Sequence, residues 1–230
     1  TLAAGVVEAR LQAREEAGAT LDLDARLDGE RLRADAVAED PQGRLAGAPA
    51  ALRLRVDGPA TGAPFTLSAR YAEAGLELEG TASRAGAATR VQARGPLRPG
   101  AFLPEELRPL AAEAALALDA TVTDAGAVAL GPSRATVPAG EVRLAGAAFP
   151  APALEVTAVV SDPAPLAGLL PEGWRFAALA LRGRLAGPSW GDLTAEGALA
   201  PDGLATGIAA ADTLLGPAPR LAFRLRPDLR

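Results

Sequence analysis

The sequence predicts an all-β fold, and three observations carry that prediction. Apolar and polar residues alternate with period two through most of the chain. Glycine, proline and aspartate recur between the alternating runs, and the 3.6-residue spacing of an amphipathic helix is rare. Evenly spaced short strands joined by tight turns make a long, antiparallel-rich sheet with one apolar face and one polar face.

The first run sets Val7, Ala9, Leu11 and Ala13 against Glu8, Arg10, Gln12 and Arg14. In the second, "LDLDARLDGE", Leu21, Leu23, Ala25 and Leu27 alternate with Asp22, Asp24, Arg26 and Asp28. Successive side chains of a strand point to opposite faces, so each set shares a side. Leu52, Leu54 and Val56 then oppose Arg53, Arg55 and Asp57; "FTLSARY" follows from Phe65, and Leu76 and Leu78 oppose Glu77 and Glu79.

The later half repeats the device. Leu116, Leu118 and Val122 alternate in "LALDATVTD", and Val142 and Leu144 in "EVRLAG". Leu154 and Val156 do so in "LEVTAVVSD", and Leu179, Leu181 and Leu185 in "LALRGRLAG". "LTAEGALA" from Leu193 and "RLAFRLR", with Leu221, Phe223 and Leu225, complete the series. Alanine, arginine and leucine are weak strand formers and aromatics are only 3% of residues, so the binary pattern rather than propensity specifies the sheet.

Three segments break the alternation, near 103–115, 163–172 and 208–216. Proline near the start with acids close behind suits short helices that cap open ends of apolar surface. No clean boundary divides the chain, which reads as a single continuous β-repeat array over residues 1–230.

Composition narrows the function. With no Cys, His or Met, the chain lacks the side chains behind most zinc sites, thiol or Ser/His nucleophiles and near-neutral proton shuttles, so no enzyme, metal or cofactor is expected. A net charge of −5, from 23 arginines interspersed among 28 acids, leaves no basic footprint for nucleic acid. No apolar run approaches the twenty or so residues of a membrane span, and no basic-then-apolar leader is present.

The tempting motifs have plainer explanations. "GPSWG", Gly187 to Gly191, has the form of a nucleophile elbow at Ser189, but without histidine it reads as a hairpin turn with Trp190 as a packing cap. Asp22, Asp24 and Asp28 faintly match a calcium loop, yet Arg26 falls at a ligand position and the intervening leucines belong to a strand. Glu77/Glu79 and Glu105/Glu106 are carboxylate pairs with nothing to converge them on a pocket, and no phosphate-binding glycine loop occurs. The apolar face itself remains: either the inner layer of an ordinary sandwich, which the pattern alone favours, or an open groove for apolar ligands such as acyl chains.

Three stretches resemble one family. "LLGPAPRL" within Gly203–Arg226, "PAPLAGLLPEGW" followed by "FAALALRGRLAG" from Pro163, and "GPLRPGAFLPEELRPLAAEAALALDATV" from Gly95 are similar to segments of the translocation and assembly module subunit TamB and its AsmA-like relatives. Residues 1–94 match only in general strand-and-glycine style. The resemblance implies a β-taco: a long sheet folded lengthwise into an open trough with an apolar interior, in the periplasm. It further implies phospholipid transfer between inner and outer membrane and support of outer-membrane protein assembly. The leucines and valines named above from Leu21 to Leu225, other than Leu193, would line the lipid groove together with Phe223. The chain would be a middle section, with an inner-membrane anchor and the contact to an outer-membrane TamA-like partner lying outside it. A structural or adhesive β-repeat domain with a closed core and no ligand is the alternative.

Overall fold

The chain is all-β. A computed structural model describes residues 6–15, 18–44, 47–100, 108 and 113–226. Fourteen strands form an open, unclosed antiparallel sheet in which each strand's neighbour in the chain is also its neighbour in the sheet. The chain divides into two compact units, Thr1–Arg108 with Ala115–Ala117, and Pro109–Ala114 with Leu118–Arg230.

The first unit holds β1 (Val6–Arg14), β2 (Thr20–Asp28), β3 (Arg31–Asp40), β4 (Ala50–Pro59), β5 (Ala63–Tyr71), β6 (Ala74–Ala85) and β7 (Ala88–Arg98). Two-residue turns set several registers: Asp28 faces Arg31 across Gly29–Glu30, and Ala85 faces Ala88 across Gly86–Ala87. Gly29 and Gly86 take φ of 60° and 61°, the left-handed geometry that glycine adopts without a Cβ penalty.

In the second unit lie most of β8 (Ala114–Thr123) and all of β9 (Val128–Val137), β10 (Gly140–Phe149), β11 (Ala153–Val160), β12 (Ala178–Ser189), β13 (Asp192–Asp202) and β14 (Leu221–Leu225). A 3-10 turn, Ala164–Leu169, follows β11, and α1 (Ala209–Leu215) follows β13. The third segment predicted to be helical, near 103–115, falls largely outside the described residues. Irregular register between β9 and β10, at Leu144/Gly146 and Ala147/Phe149, bends the strands locally.

A sheet that is apolar on one side ordinarily buries that side against a second layer. The close backbone contacts between described elements join consecutive strands. The large side chains buried almost completely among the described residues are few, Leu154, Leu193 and Pro152. Leu52, Leu21, Leu221 and Leu225, by contrast, remain 41%, 37%, 39% and 60% exposed.

Candidate functional site

Register converts the alternation into two continuous faces. In the first unit one ladder runs Leu11, Leu23, Ala36, Leu54, Leu67, Leu78 across β1 to β6. The next runs Ala13, Leu21, Ala38, Leu52, Ala69, Leu76, Leu97 and reaches β7. On the other side of the first come Ala9, Ala25, Ala34, Val56, Phe65, Gly80 and Ala93. Leu27 leads a fourth, with Val7, Leu32 and Gly58. No polar side chain interrupts these ladders.

Strands lie ~4.8 Å apart and same-face residues ~6.7 Å apart, so these ladders, which cross six, seven, seven and four strands, span on the order of 600 Å², the upper end of apolar patches on soluble chains. A hollow of about 500 Å³ opens on this face, its floor made by Ala13, Ala19, Ala38, Ala50 and Ala69 beside Leu21 and Leu52. Alanine at those ladder positions leaves the space that a larger side chain would fill. Buried Asp40 stands at its end, accepting a hydrogen bond from the Arg44 amide at 3.0 Å.

The second unit has the same organisation. Val142, Ala158, Leu181, Leu199 and Leu221 share one ladder, and Leu144, Val156, Gly183, Gly197 and Phe223 the next. Gly146, Leu154, Leu185, Ala195 and Leu225 form a third, and Leu179 faces Val160 and Pro201. Leu116, Leu118 and Val122 alternate along β8 and so lie on one side of it.

Glycines on the apolar side mark where backbones crowd together. A Cβ added to Gly183 would sit 2.7 Å from the Glu196 carbonyl oxygen, and one added to Gly197 would sit 2.7 Å from the Gly183 Cα. Only glycine fits this pair of facing positions, and the neighbouring strand leans over the apolar side there.

The polar side is a charge lattice. Arg10 pairs with Asp24 at 3.0 Å, Arg26 with Glu8 at 3.2 Å and Asp28 at 3.1 Å, and Arg55 with Asp35 at 3.2 Å. Asp57 receives Arg31 at 2.9 Å and Arg33 at 3.4 Å. The Arg31 hydrogen bond, aided by the charges of both arginines, holds its carboxyl below the ordinary value. In the second unit Glu155, Arg184, Glu196 and Arg224 face one another in alternating sign across four strands. Opposite charges across strands each add a few tenths of a kcal/mol, roughly, and oppose slippage of register.

The tempting motifs fall into this frame. Asp22, Asp24 and Asp28 lie on the polar side of β2, with Asp24 and Asp28 in the ion pairs above. Ser189 faces Asp192 at the tip of the β12–β13 hairpin, and the Trp190 indole donates to the Ala148 carbonyl at 3.0 Å. Glu77 and Glu79 are exposed on the polar side of β6, and Glu105/Glu106 lie outside the described residues.

Strands β3, β7 and β9 are not singled out by the alternation, and with them go Ala34, Ala36, Ala38, Ala93 and Leu130. Their apolar-side positions are mostly alanine, glycine or serine, so the contrast that reveals a strand is weak. The turn glycines at 29 and 86 are the signal that could have found β3 and β7, because each fixes a hairpin partner. No family model, curated protein or solved structure matches this chain.

Proposed function

We propose that the chain is a lipid conduit: its apolar face holds the acyl chains of phospholipids passing between the inner and outer membranes, and so supports outer-membrane assembly. The single observation that carries this reading is a face of the first unit whose register ladders carry only apolar side chains or glycine, with a hollow of about 500 Å³ opening on it beside Leu21 and Leu52. A sheet folded lengthwise with this face inward, in the manner of the TamB and AsmA-like proteins that the sequence resembles, would keep such chains from water. The conduit would work in the periplasm and act with an inner-membrane anchor and an outer-membrane TamA-like partner. It uses no catalytic residue and no cofactor.

The physics favours movement over trapping. Each methylene removed from water gains roughly 0.8 kcal/mol, so a whole acyl chain is held while no single position contributes much. Ladders of leucine, valine and alanine offer many nearly equal sites, and a chain slides between equal sites without a large barrier.

The test is site-specific photocrosslinking in a Gram-negative cell, with the photoreactive residue at Leu52, which lines the hollow, or at Arg53 on the opposite side. Mass spectrometry is expected to find phospholipid adducts at 52 and none at 53. Protein crosslinks at both positions with lipid at neither would refute the conduit.

A further inference from the structure

We propose that the polar side of the first unit carries a phosphate site over Gly75, with Arg70 and Arg98 as its charged ligands and Ser68 as a hydroxyl donor. Elsewhere on that side arginines pair with acids, as Arg10 does with Asp24 and Arg55 with Asp35. Here the polar ladder runs Ala51, Arg70, Gly75, Arg98 across β4 to β7 and offers the arginines no acid. Both are exposed, and neither makes an ion pair or a side-chain hydrogen bond among the described residues. Two strand spacings, ~9.6 Å, separate their backbones, with a residue that has no side chain between them.

That residue is the second observation. At Gly80 and Gly95 an added Cβ would collide with the carbonyl oxygens of Gln92 and Glu77, so crowding by the next strand explains both glycines. A Cβ added to Gly75 would meet nothing closer than the Arg98 Cβ at 4.0 Å, and Gly75 is not among the glycines of positive φ. Neither crowding nor backbone conformation calls for glycine there. What a bare strand position provides is close approach of a ligand to the backbone.

Space and chemistry then select the ligand. A hollow of about 120 Å³ opens over Gly75, bordered by Ser68, Arg70 and Arg98. At ~30 Å³ per water in the liquid it has room for about four waters, or for one group of five heavy atoms. A guanidinium holds an oxyanion through a fork of two N–H donors. A carboxylate has oxygens for one fork, whereas the three or four oxygens of a phosphate serve two forks approaching from opposite sides. Of the acids on the border, Glu73 is paired with Arg108 at 3.3 Å, and Glu77 is left to oppose an anion.

The phosphate has two possible sources, the free ion and the head of an amphiphile. Ala69 and Arg70 border both this hollow and the apolar one on the opposite face, next to the turn from β5 to β6. A tail lying in the apolar hollow would therefore bring its phosphate over the rim of the sheet to Arg70. That source, unlike the site itself, rests on the conduit reading.

Isothermal titration of the 230-residue chain with inorganic phosphate, and with dodecyl phosphate below its micelle concentration, tests the site. Arg70→Gln and Arg98→Gln are each expected to weaken both ligands about fivefold, the upper end for an exposed ion pair. Arg55→Gln, which removes the partner of Asp35, should change neither. Glu77→Gln should strengthen binding. Gly75→Ala should weaken it, because the methyl group takes space in the hollow, while the melting temperature holds or rises. Tighter binding of dodecyl phosphate, with the excess lost in Leu52→Gln, would identify the head of an amphiphile. Equal affinities would identify the free ion and count against the conduit while leaving the site. No binding of either ligand would overturn the proposal. So would binding that Arg70→Gln, Arg98→Gln or Gly75→Ala leaves unchanged while far-UV circular dichroism shows the sheet retained.

Discussion

Two leucines on the same face of the first unit give the sharpest test of whether that face is open. Leu78 on β6 is 3% exposed, whereas Leu52 on β4 is 41% exposed. Truncation to alanine removes three carbon groups, about 2.4 kcal/mol of transfer energy for a fully buried leucine at ~0.8 kcal/mol each. At position 78 a cavity adds to this, and a total of about 3 kcal/mol lies within the usual range for buried leucines. At position 52 only about three fifths of the transfer energy is at stake, ~1.4 kcal/mol, and no cavity forms because the side chain already borders open space. Urea unfolding followed by far-UV circular dichroism should therefore show Leu78→Ala costing about twice as much as Leu52→Ala, with equal denaturant slopes. Equal losses would refute the reasoning, because they would mean that another layer covers Leu52 in solution as fully as the sheet covers Leu78.

Three further outcomes follow from particular contacts. Ser133 is buried, accepts from the Asp119 amide at 3.0 Å and donates to the Asp119 carbonyl at 3.1 Å. Ser133→Ala strips both partners and is expected to cost about 1–3 kcal/mol, or roughly 2–12 °C in melting temperature by calorimetry. Because Arg31 holds the folded-state carboxyl of Asp57 below 3.8, its ion pair stabilises the fold above the ordinary carboxylate range and is lost as pH falls through the lower folded value. Carbon-13 titration should find a midpoint below 3.8 that Arg31→Gln raises and salt moves in the same direction. If the face holds acyl chains, shortening a bound fatty acid by two methylenes should weaken binding by about 1.6 kcal/mol, roughly 15-fold, in isothermal titration.

The faces of the sheet were legible in the sequence, and their coverage was not. Alternation assigns Leu21, Leu23 and Leu27 to one side and Asp22, Asp24 and Arg26 to the other because a side-chain period of two is a property of one strand. Whether that side meets a second layer depends on elements far apart in the chain, and Leu52 and Leu78 look alike to any reading by pattern. Exposures of 41% and 3% separate them only once strand order is known. Small residues hide in the same way. Ala36 and Ala38 carry little contrast with their neighbours, yet in register they sit between leucines of β2 and β4, and Ala38 makes part of the floor of the hollow.

Large and small residues divide the labour on the apolar face. Where leucine faces leucine across strands, as at Leu54–Leu67–Leu78, the sheet packs against itself and gains what core it has. Where alanine alternates with leucine, as at Ala13–Leu21–Ala38–Leu52–Ala69, the side chains cannot fill the face, and the hollow lies along that ladder. Filling the gap with larger side chains would add buried area and remove the space. Ala38→Leu or Ala69→Leu should thus stabilise the first unit in urea unfolding while closing the hollow, and a loss of stability would mean that the space is too small for the added side chain.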